Sequence, residues 1–363
     1  MNKSVVLIFL GDFFFDARCI NMANTIINSG MELNIIDAGK SDNKYRGKDI
    51  YHISLHERGL FKYIKFHWKV IQKLKTLKPN IIIAGDLYSL PASTSLKHTH
   101  KVYDSRELYS QLAGLSTKPL RQYFWSWIEK KHITKIQSVI VTAPGDGVIL
   151  NQNFQNLNIV TIYNFPSIKM KPKGRISLRE KLNITQDKVI FLYQGFLHKG
   201  RGIKQMIQLL PIFKNAHVVI IGKGHYKDEL INYGIKLGII KRIHFYGAVP
   251  YLDLLEVSAE ANIGFSLIKP ISKSYEQALP NKLFEYALAG IPIIASNLPE
   301  MEKIINEYGI GCLVAHDDLN GQIESITKIL NNNKGKEIQK ISEQHLVWET
   351  QENLFLNTLN SNG

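Results

Sequence analysis

Lys282 and Glu285 stand one helical turn apart in the stretch YEQALPNKLFEYALAGIPIIAS, residues 275–296. Their types suit one chemistry in particular. A lysine in the first turn of a helix adds a full charge to the free amides and partial positive charge of the N-terminus, and together these attract a phosphate. A glutamate one turn further on suits hydroxyls, because a carboxylate can accept two hydrogen bonds from a vicinal diol. Phosphate plus diol describes a nucleotide. An ordinary surface helix with solvated charges also carries such a pair, and such helices are common.

More candidates lie upstream. The stretch QGFLHKGRG, 194–202, sets Lys199 and Arg201 among Gly195, Gly200 and Gly202. Glycines let backbone amides approach an anion, and the cations complete a phosphate cradle. Two further loops suit a ligand, GKGHY at 222–226 and the run 273–285. In the first half DSRELY, 104–109, offers Arg106 and Glu107, either as substrate contacts or as a cap and a salt bridge. No metal chemistry is indicated: there is no HExxH, no CxxC and no Cys/His cluster. The two cysteines, Cys19 and Cys312, sit in apolar runs and read as buried thiols of a reducing compartment.

The positioning elements follow from the pattern. Asn281 is expected to cap a helix over Lys282–Ala289, with Leu283, Ala287 and Leu288 on its apolar face. Gly290 would end it with a positive φ, Pro292 cannot continue it, and Ile291–Ala295 reads as a buried strand. At the other end of the chain Val5–Leu10, a helix from Asp16 to Ser29, and Glu32–Ile36 form a βαβ unit of a parallel sheet. Gly11 and Asp12 follow its first strand; one glycine is not the GxGxxG of a dinucleotide fold. Further strands are expected at Asn80–Gly85, Lys101–Tyr103, Ser138–Thr142 and Val160–Tyr163. A Pro- and Gly-bearing linker spans Asn164–Lys173. The pattern then restarts with strands at Lys188–Tyr193, Val218–Ile221, Lys241–Phe245 and Ala261–Leu267. Each ligand-suited loop leaves the C-terminal end of a strand, the edge where open α/β sheets bind ligands.

Composition bounds the class. The chain has 363 residues, 45% of them hydrophobic, so two domains with real cores are expected. Net charge is +14 and unevenly spread: residues 1–170 hold 22 Lys and Arg against 12 Asp and Glu, leaving 23 against 19 for the rest. The first half therefore suits an anionic surface such as nucleic acid, an acidic membrane or a pyrophosphate-linked lipid. A helix over Leu60–Lys78 places Leu60, Ile64, Trp68, Ile71 and Leu74 on one stripe. Lys62, Lys65, Lys69 and Lys73 lie opposite, beside Phe66 and Val70. KPLRQYFWSWIEKK, 118–131, repeats the basic and aromatic theme, with Trp125 and Trp127 as headgroup anchors or core aromatics. No helix-turn-helix, RNA-binding sheet motif or Arg-rich run supports nucleic acid. The opening MNKSVVLIFLGDFFF reads as a first strand rather than a signal peptide, and no apolar run is long enough to span a membrane.

With its loops in this order, the sequence resembles glycosyltransferase family 4, the retaining nucleotide-sugar enzymes of the GT-B fold. PNKLFEYALAGIPIIAS resembles the donor-binding signature, and QGFLHKGRGI the loop with glycines and a base. VVIIGKGHYKDEL and IHFYGAVPYLDLLEVSAEANIGFSL resemble segments lining the nucleobase pocket, and YDSRELY the N-domain Asp-x-His-Glu motif. The resemblance implies an α/β chain of two Rossmann-like, doubly wound parallel-sheet domains facing a cleft. Residues 1–167 would bind acceptor, 168–345 nucleotide-sugar, and 346–363 would return toward the first domain.

The resemblance also implies roles. Glu285 would bind the ribose hydroxyls, and Arg201, where the family usually has Lys, the diphosphate. Lys282 and the amide of Leu283 would contact phosphate or sugar. Gly195 would let its loop approach the donor, Val249 would meet the base through its backbone, and Gly222 and Asn281 belong to the same donor set. Phe196 stands where the family has an arginine, so Lys199 or Lys282 would supply the missing charge. The family's first signature glutamate falls at Gln277, with Glu276 one residue off, and its N-domain histidine is Arg106 here. Gly11, Asp12, Arg106 and Glu107 would form the acceptor side. Without an Asp-x-Asp motif, metal-independent front-face transfer is expected, with no cofactor. A UDP-sugar is the first choice of donor and a GDP-sugar the second. A saccharide or lipid-linked saccharide would accept, in bacterial surface-polysaccharide assembly on the cytoplasmic face of an anionic membrane. The alternatives are a 2-epimerase of the same fold or a basic binding protein without catalysis.

Overall fold

Apolar runs such as VVLI and IIIA cannot remain in water, and each forms a strand covered on both faces. Val5–Ile8 and Ile81–Ala84 are all buried at the centre of the first sheet. The computed structural model describes residues 3–109, 119–332 and 334–360. The chain divides into two units, Met1–Tyr163 with Gln351–Gly363, and Asn164–Thr350.

The first unit holds β1 (Ser4–Ile8), β2 (Glu32–Asp37), β3 (Lys44–Tyr45), β4 (Lys48–His52), β5 (Ile81–Ala84), β6 (His100–Ser105), β7 (Ser138–Val141) and β8 (Ile159–Thr161). Their order is β3-β4-β2-β1-β5-β6-β7-β8, parallel throughout except for the β3–β4 hairpin. That hairpin has too little apolar patterning to be seen in the sequence. Asp16 caps the helix Ala17–Asn28 by accepting from the Cys19 amide at 2.8 Å. The helix Glu352–Asn360 is tied to this unit: Thr25 donates to Glu352 at 2.7 Å, and His100 Nε2 meets the Thr358 carbonyl at 3.1 Å.

The helix Leu60–Leu77 meets the sheet along a line between the two stripes read from the sequence. Phe66, Val70 and Leu74, spaced four apart, pack on Val6, Ile8, Ile36 and Ile82. Of the apolar stripe read from the sequence, Ile71 and Leu74 join this core, whereas Leu60, Ile64 and Trp68 are each more than half exposed. Both stripes satisfy helical spacing. The rotation is settled by Tyr63, whose ring stacks on Tyr88 and meets Trp125 edge-on, each at 4.9 Å. Trp125 and Trp127 also part company: the former packs with the core around Tyr103 and Val139, and the latter is 47% exposed.

The second unit holds β9 (Val189–Gln194), β10 (Ala216–Ile221), β11 (Ile243–Gly247), β12 (Ile263–Ser266), β13 (Ile293–Ser296) and β14 (Gly311–Val314). The order is β11-β10-β9-β12-β13-β14 and every pairing is parallel. β9 lies centrally, where the strand order reverses; such a switch point opens a crevice at the strands' C-terminal ends. The last strand of this sheet, GCLV, was not recognised in the sequence.

Candidate active site

Three loops meet at the C-terminal edge of the second sheet. The Gly195 amide donates to Ile221 O at 2.9 Å, Leu197 N to Lys223 O at 3.0 Å, and Gly222 N to Gly247 O at 2.8 Å. These bonds lace the ends of β9, β10 and β11 together. Gly222 has φ +141°, and a Cβ there would lie 1.9 Å from the Gly195 carbonyl oxygen. No other residue fits, because the two backbones are already in contact.

Lys282 and Glu285 belong to the helix Asn281–Leu288 and are buried, each 7% exposed. The solvated-helix alternative fails on this point. Gln194 Nε2 donates to Glu285 Oε2 at 2.5 Å, and Ser258 Oγ donates to Gln194 Oε1 at 2.8 Å. Burial pushes the Glu285 carboxyl up to about 7, against the Gln194 hydrogen bond and the nearby Lys282 charge. The Lys282 ammonium lies over Tyr193, 3.7 Å from the ring centroid. Burial, and secondarily Arg201, holds its pKa well below the usual lysine value, with Glu285 opposing. Among the described residues no carboxylate lies within ion-pair distance of it. The Arg201 guanidinium in turn rests over Tyr275 at 4.6 Å. Both cations thus lie on aromatic faces, which leave their charge free for an anion.

Not every expected donor residue joins this group. Lys199 turns away and pairs with Glu229 at 2.7 Å. Phe196 is 57% exposed, beside the His225 ring. Asn281 is the first residue of the helix rather than its cap, because Pro280 already takes the extended cap conformation. The Leu283 amide, expected on phosphate or sugar, is spent on Pro280 O at 3.1 Å. Glu276 pairs with Lys273 at 3.0 Å, and Gln277 caps the short helix Lys273–Glu276. Val249 is in the loop after β11, half-buried. Gln194, Tyr193 and Tyr275 carried no role in the sequence reading. Gln194 and Tyr193 end β9 immediately before the glycine loop, and that position was the available signal.

The first unit carries its own polar centre. Arg18 donates to both Asp104 oxygens at 2.9 Å and to Ile162 O at 2.9 Å. Arg106 donates to Asp104 at 2.8 Å, to Asp16, and to Cys19 Sγ at 2.9 Å. Asp104 is fully buried. Arg106 is therefore the partner of two carboxylates, the salt-bridge alternative of the sequence reading. Asp12 accepts from the Phe14 amide at 3.2 Å and the Lys40 amide at 3.2 Å, so it shapes the loops after β1 and β2. Gly11 accepts from Ala38 N at 2.9 Å in the same place. Glu107 is exposed. Cys19 is buried as expected, whereas Cys312 is only half-buried.

Two doubly wound parallel sheets, the second carrying a nucleotide-suited site at its switch point, define the GT-B fold of glycosyltransferases. Sucrose-phosphate synthase from Thermosynechococcus elongatus superposes with a TM-score of 0.81 over 98% of both chains, at 15% identity. HepE from Anabaena, in complex with UDP and glucose, gives 0.80 over 99% of this chain and 100% of that one, at 14% identity. Residues 174–345 match the family described as glycosyl transferases group 1. Glycogen synthase from Mycobacterium tuberculosis is 26% identical over 147 residues, 39% of this chain. The chain thus spans about a third of that relative's length, 34%. A lipopolysaccharide core biosynthesis glycosyltransferase from Rhizobium meliloti is 22% identical over 280 residues, 76% of this chain and 73% of that protein.

Proposed function

We propose that the protein is a retaining glycosyltransferase that moves a sugar from a nucleotide-sugar, UDP-linked first and GDP-linked second, to a saccharide or lipid-linked saccharide. The observation that carries the reading is the buried pair on one helix turn: a lysine without a carboxylate partner, and a glutamate oriented by Gln194. A buried cation without a counter-ion is costly unless a ligand completes it. The relatives support the class, and the UDP-bound structure supports the first choice of nucleotide.

In the proposed reaction Glu285 accepts from the ribose hydroxyls. Lys282 and Arg201 receive the diphosphate and stabilise the charge that grows on it as the glycosidic bond breaks. The chain's own cations do this, without a metal. The acceptor approaches from the face the diphosphate leaves, and a leaving phosphate oxygen takes its proton, so configuration is retained. Surface-polysaccharide assembly on the inner face of a bacterial membrane is the proposed setting. No described helix is long and apolar enough to cross a membrane.

Thermal-shift screening against UDP, GDP, ADP and their sugars identifies the donor. Turnover of the stabilising nucleotide-sugar, with product analysis, separates transfer from 2-epimerisation and from binding without catalysis. Arg201→Ala and Glu285→Ala are each expected to cut turnover by about a hundredfold or more. Near-wild-type turnover in both would overturn the assignment.

A further inference from the structure

Two helices of the first unit turn large apolar side chains to solvent. On Leu60–Leu77 these are Leu60, Phe61, Ile64 and Trp68, exposed by 53%, 73%, 53% and 55%. On Pro119–Ile133 they are Leu120, Tyr123 and Trp127, exposed by 85%, 74% and 47%. The two sets are neighbours. Tyr63 of the first helix touches Trp125 of the second, and Ile64 and Tyr123 lie within a turn of that contact. A soluble protein rarely leaves a continuous patch of this kind without a partner for it.

The charges around the patch identify the partner. The sequence of the first helix has no Asp or Glu, and the one acid of the second, Glu129, is buried and bonded to Tyr103 at 2.9 Å. Every formal charge these helices show to solvent is therefore positive, from Lys62, Lys69, Lys75, Arg121, Lys130 and Lys131 among others. Two lysines lie against the exposed tryptophans, Lys69 at 5.3 Å from Trp68 and Lys131 at 4.9 Å from Trp127. Protein–protein contacts are depleted in lysine at their centres. The headgroup level of an anionic bilayer, by contrast, favours tryptophan, tyrosine and lysine side by side above aliphatic groups.

We propose that the outward faces of helices Leu60–Leu77 and Pro119–Ile133 form a docking face for an anionic lipid bilayer. Its place in the fold gives it a use. Each helix returns from one parallel strand to the next, so its N-terminus lies at the C-terminal edge of the sheet. Asp12, after β1, and Arg106, after β6, lie at that same edge. The docked face therefore holds the ligand-binding edge of this unit at the lipid surface, where a lipid-linked substrate resides. That last step rests on the proposed transferase reading; the docking itself does not.

The test is flotation of the purified full chain with phosphatidylcholine vesicles, with and without about 30 mol % phosphatidylglycerol, at about 0.1 M salt. The protein is expected to float with the anionic vesicles and to bind neutral ones more than about tenfold less well. Two variants, Phe61→Ser/Ile64→Ser/Trp68→Ser and Lys62→Gln/Lys69→Gln/Lys130→Gln/Lys131→Gln, are each expected to lose about tenfold or more. Melting temperature and the UDP-induced thermal shift report that these variants remain folded. For a variant that fails to fold, Trp68→Phe/Trp127→Phe takes its place, and quenching of the remaining fluorescence by brominated acyl chains should fall. Absence of binding to anionic vesicles, or equal binding by the variants, would overturn the proposal. So would a dimer in size-exclusion chromatography that the serine variant dissolves, which would assign the face to a second copy of the chain. The UDP shift uses no vesicles, so it tests the donor reading separately.

Discussion

Lys282→Met separates a lysine held for a ligand from one that supports the fold. The wild-type side chain is 7% exposed and lies on Tyr193 without an ion pair among the described residues. Its folded pKa is depressed by burial and by Arg201. In the window below the ordinary lysine value the unfolded chain binds the proton more tightly, so stability is lost as pH falls and gained as it rises. Each pH unit within that window is worth about 1.4 kcal/mol, and at pH 7 the folded protein bears the accumulated penalty. Methionine matches the length, keeps the contact with the Tyr193 ring and has no charge to desolvate. Replacing a buried ionic group by an apolar one of similar volume is worth about 1–4 kcal/mol, and losing the cation–π attraction takes back about 1–2. Glu285 loses an attraction as well, but its carboxyl is already raised and responds by staying neutral. The central values leave a net gain of about 1 kcal/mol, which for a unit of this size raises the melting temperature by about 2–4 °C. Calorimetry with and without UDP reads both effects: the ligand-free protein should melt higher, and the UDP-induced rise should disappear. A lower melting temperature with the UDP shift intact would refute the reasoning, because it would make Lys282 a structural residue.

The other predictions concern charge. Ribose hydroxyls donate to an ionised Glu285, whose carboxyl is raised to about 7, so calorimetric affinity for a UDP-sugar should rise with pH through about 7 and level off above it. Glu285→Gln should flatten that dependence. The same raised value means that the folded state holds a proton the unfolded chain releases, so this group's contribution to stability falls as pH rises from the ordinary 4.5 toward 7. Arg106→Met would leave Asp104 and Asp16 without one of their cations and should destabilise the first unit by about 3–5 kcal/mol in urea unfolding. The UDP shift of the second unit should survive that substitution; unchanged stability with lost acceptor use would instead restore Arg106 as a substrate contact.

Much of this protein was legible in the order of its residues. Buried parallel strands announce themselves as continuous apolar runs, so Val5–Ile8, Ile81–Ala84 and Ile293–Ser296 were each found within a few residues. Helix ends and ligand loops were legible because glycine, proline and aspartate act locally, through φ, ring closure and capping. That is how Lys282, Glu285, Arg201 and the glycine loops could be named. Tertiary structure decided what periodicity leaves degenerate. Either stripe of Leu60–Leu77 could have faced the sheet, and contacts from Tyr63 to Tyr88 and Trp125, distant in sequence, chose Phe66, Val70 and Leu74. It also decided how each charge is spent. Lys199 is neutralised by Glu229, Arg106 by Asp16 and Asp104, whereas Lys282 and Arg201 rest on tyrosine rings and make no ion pair among the described residues. Residue type and spacing place a cation in a loop; only the packing of remote side chains determines whether it meets a carboxylate or an aromatic face.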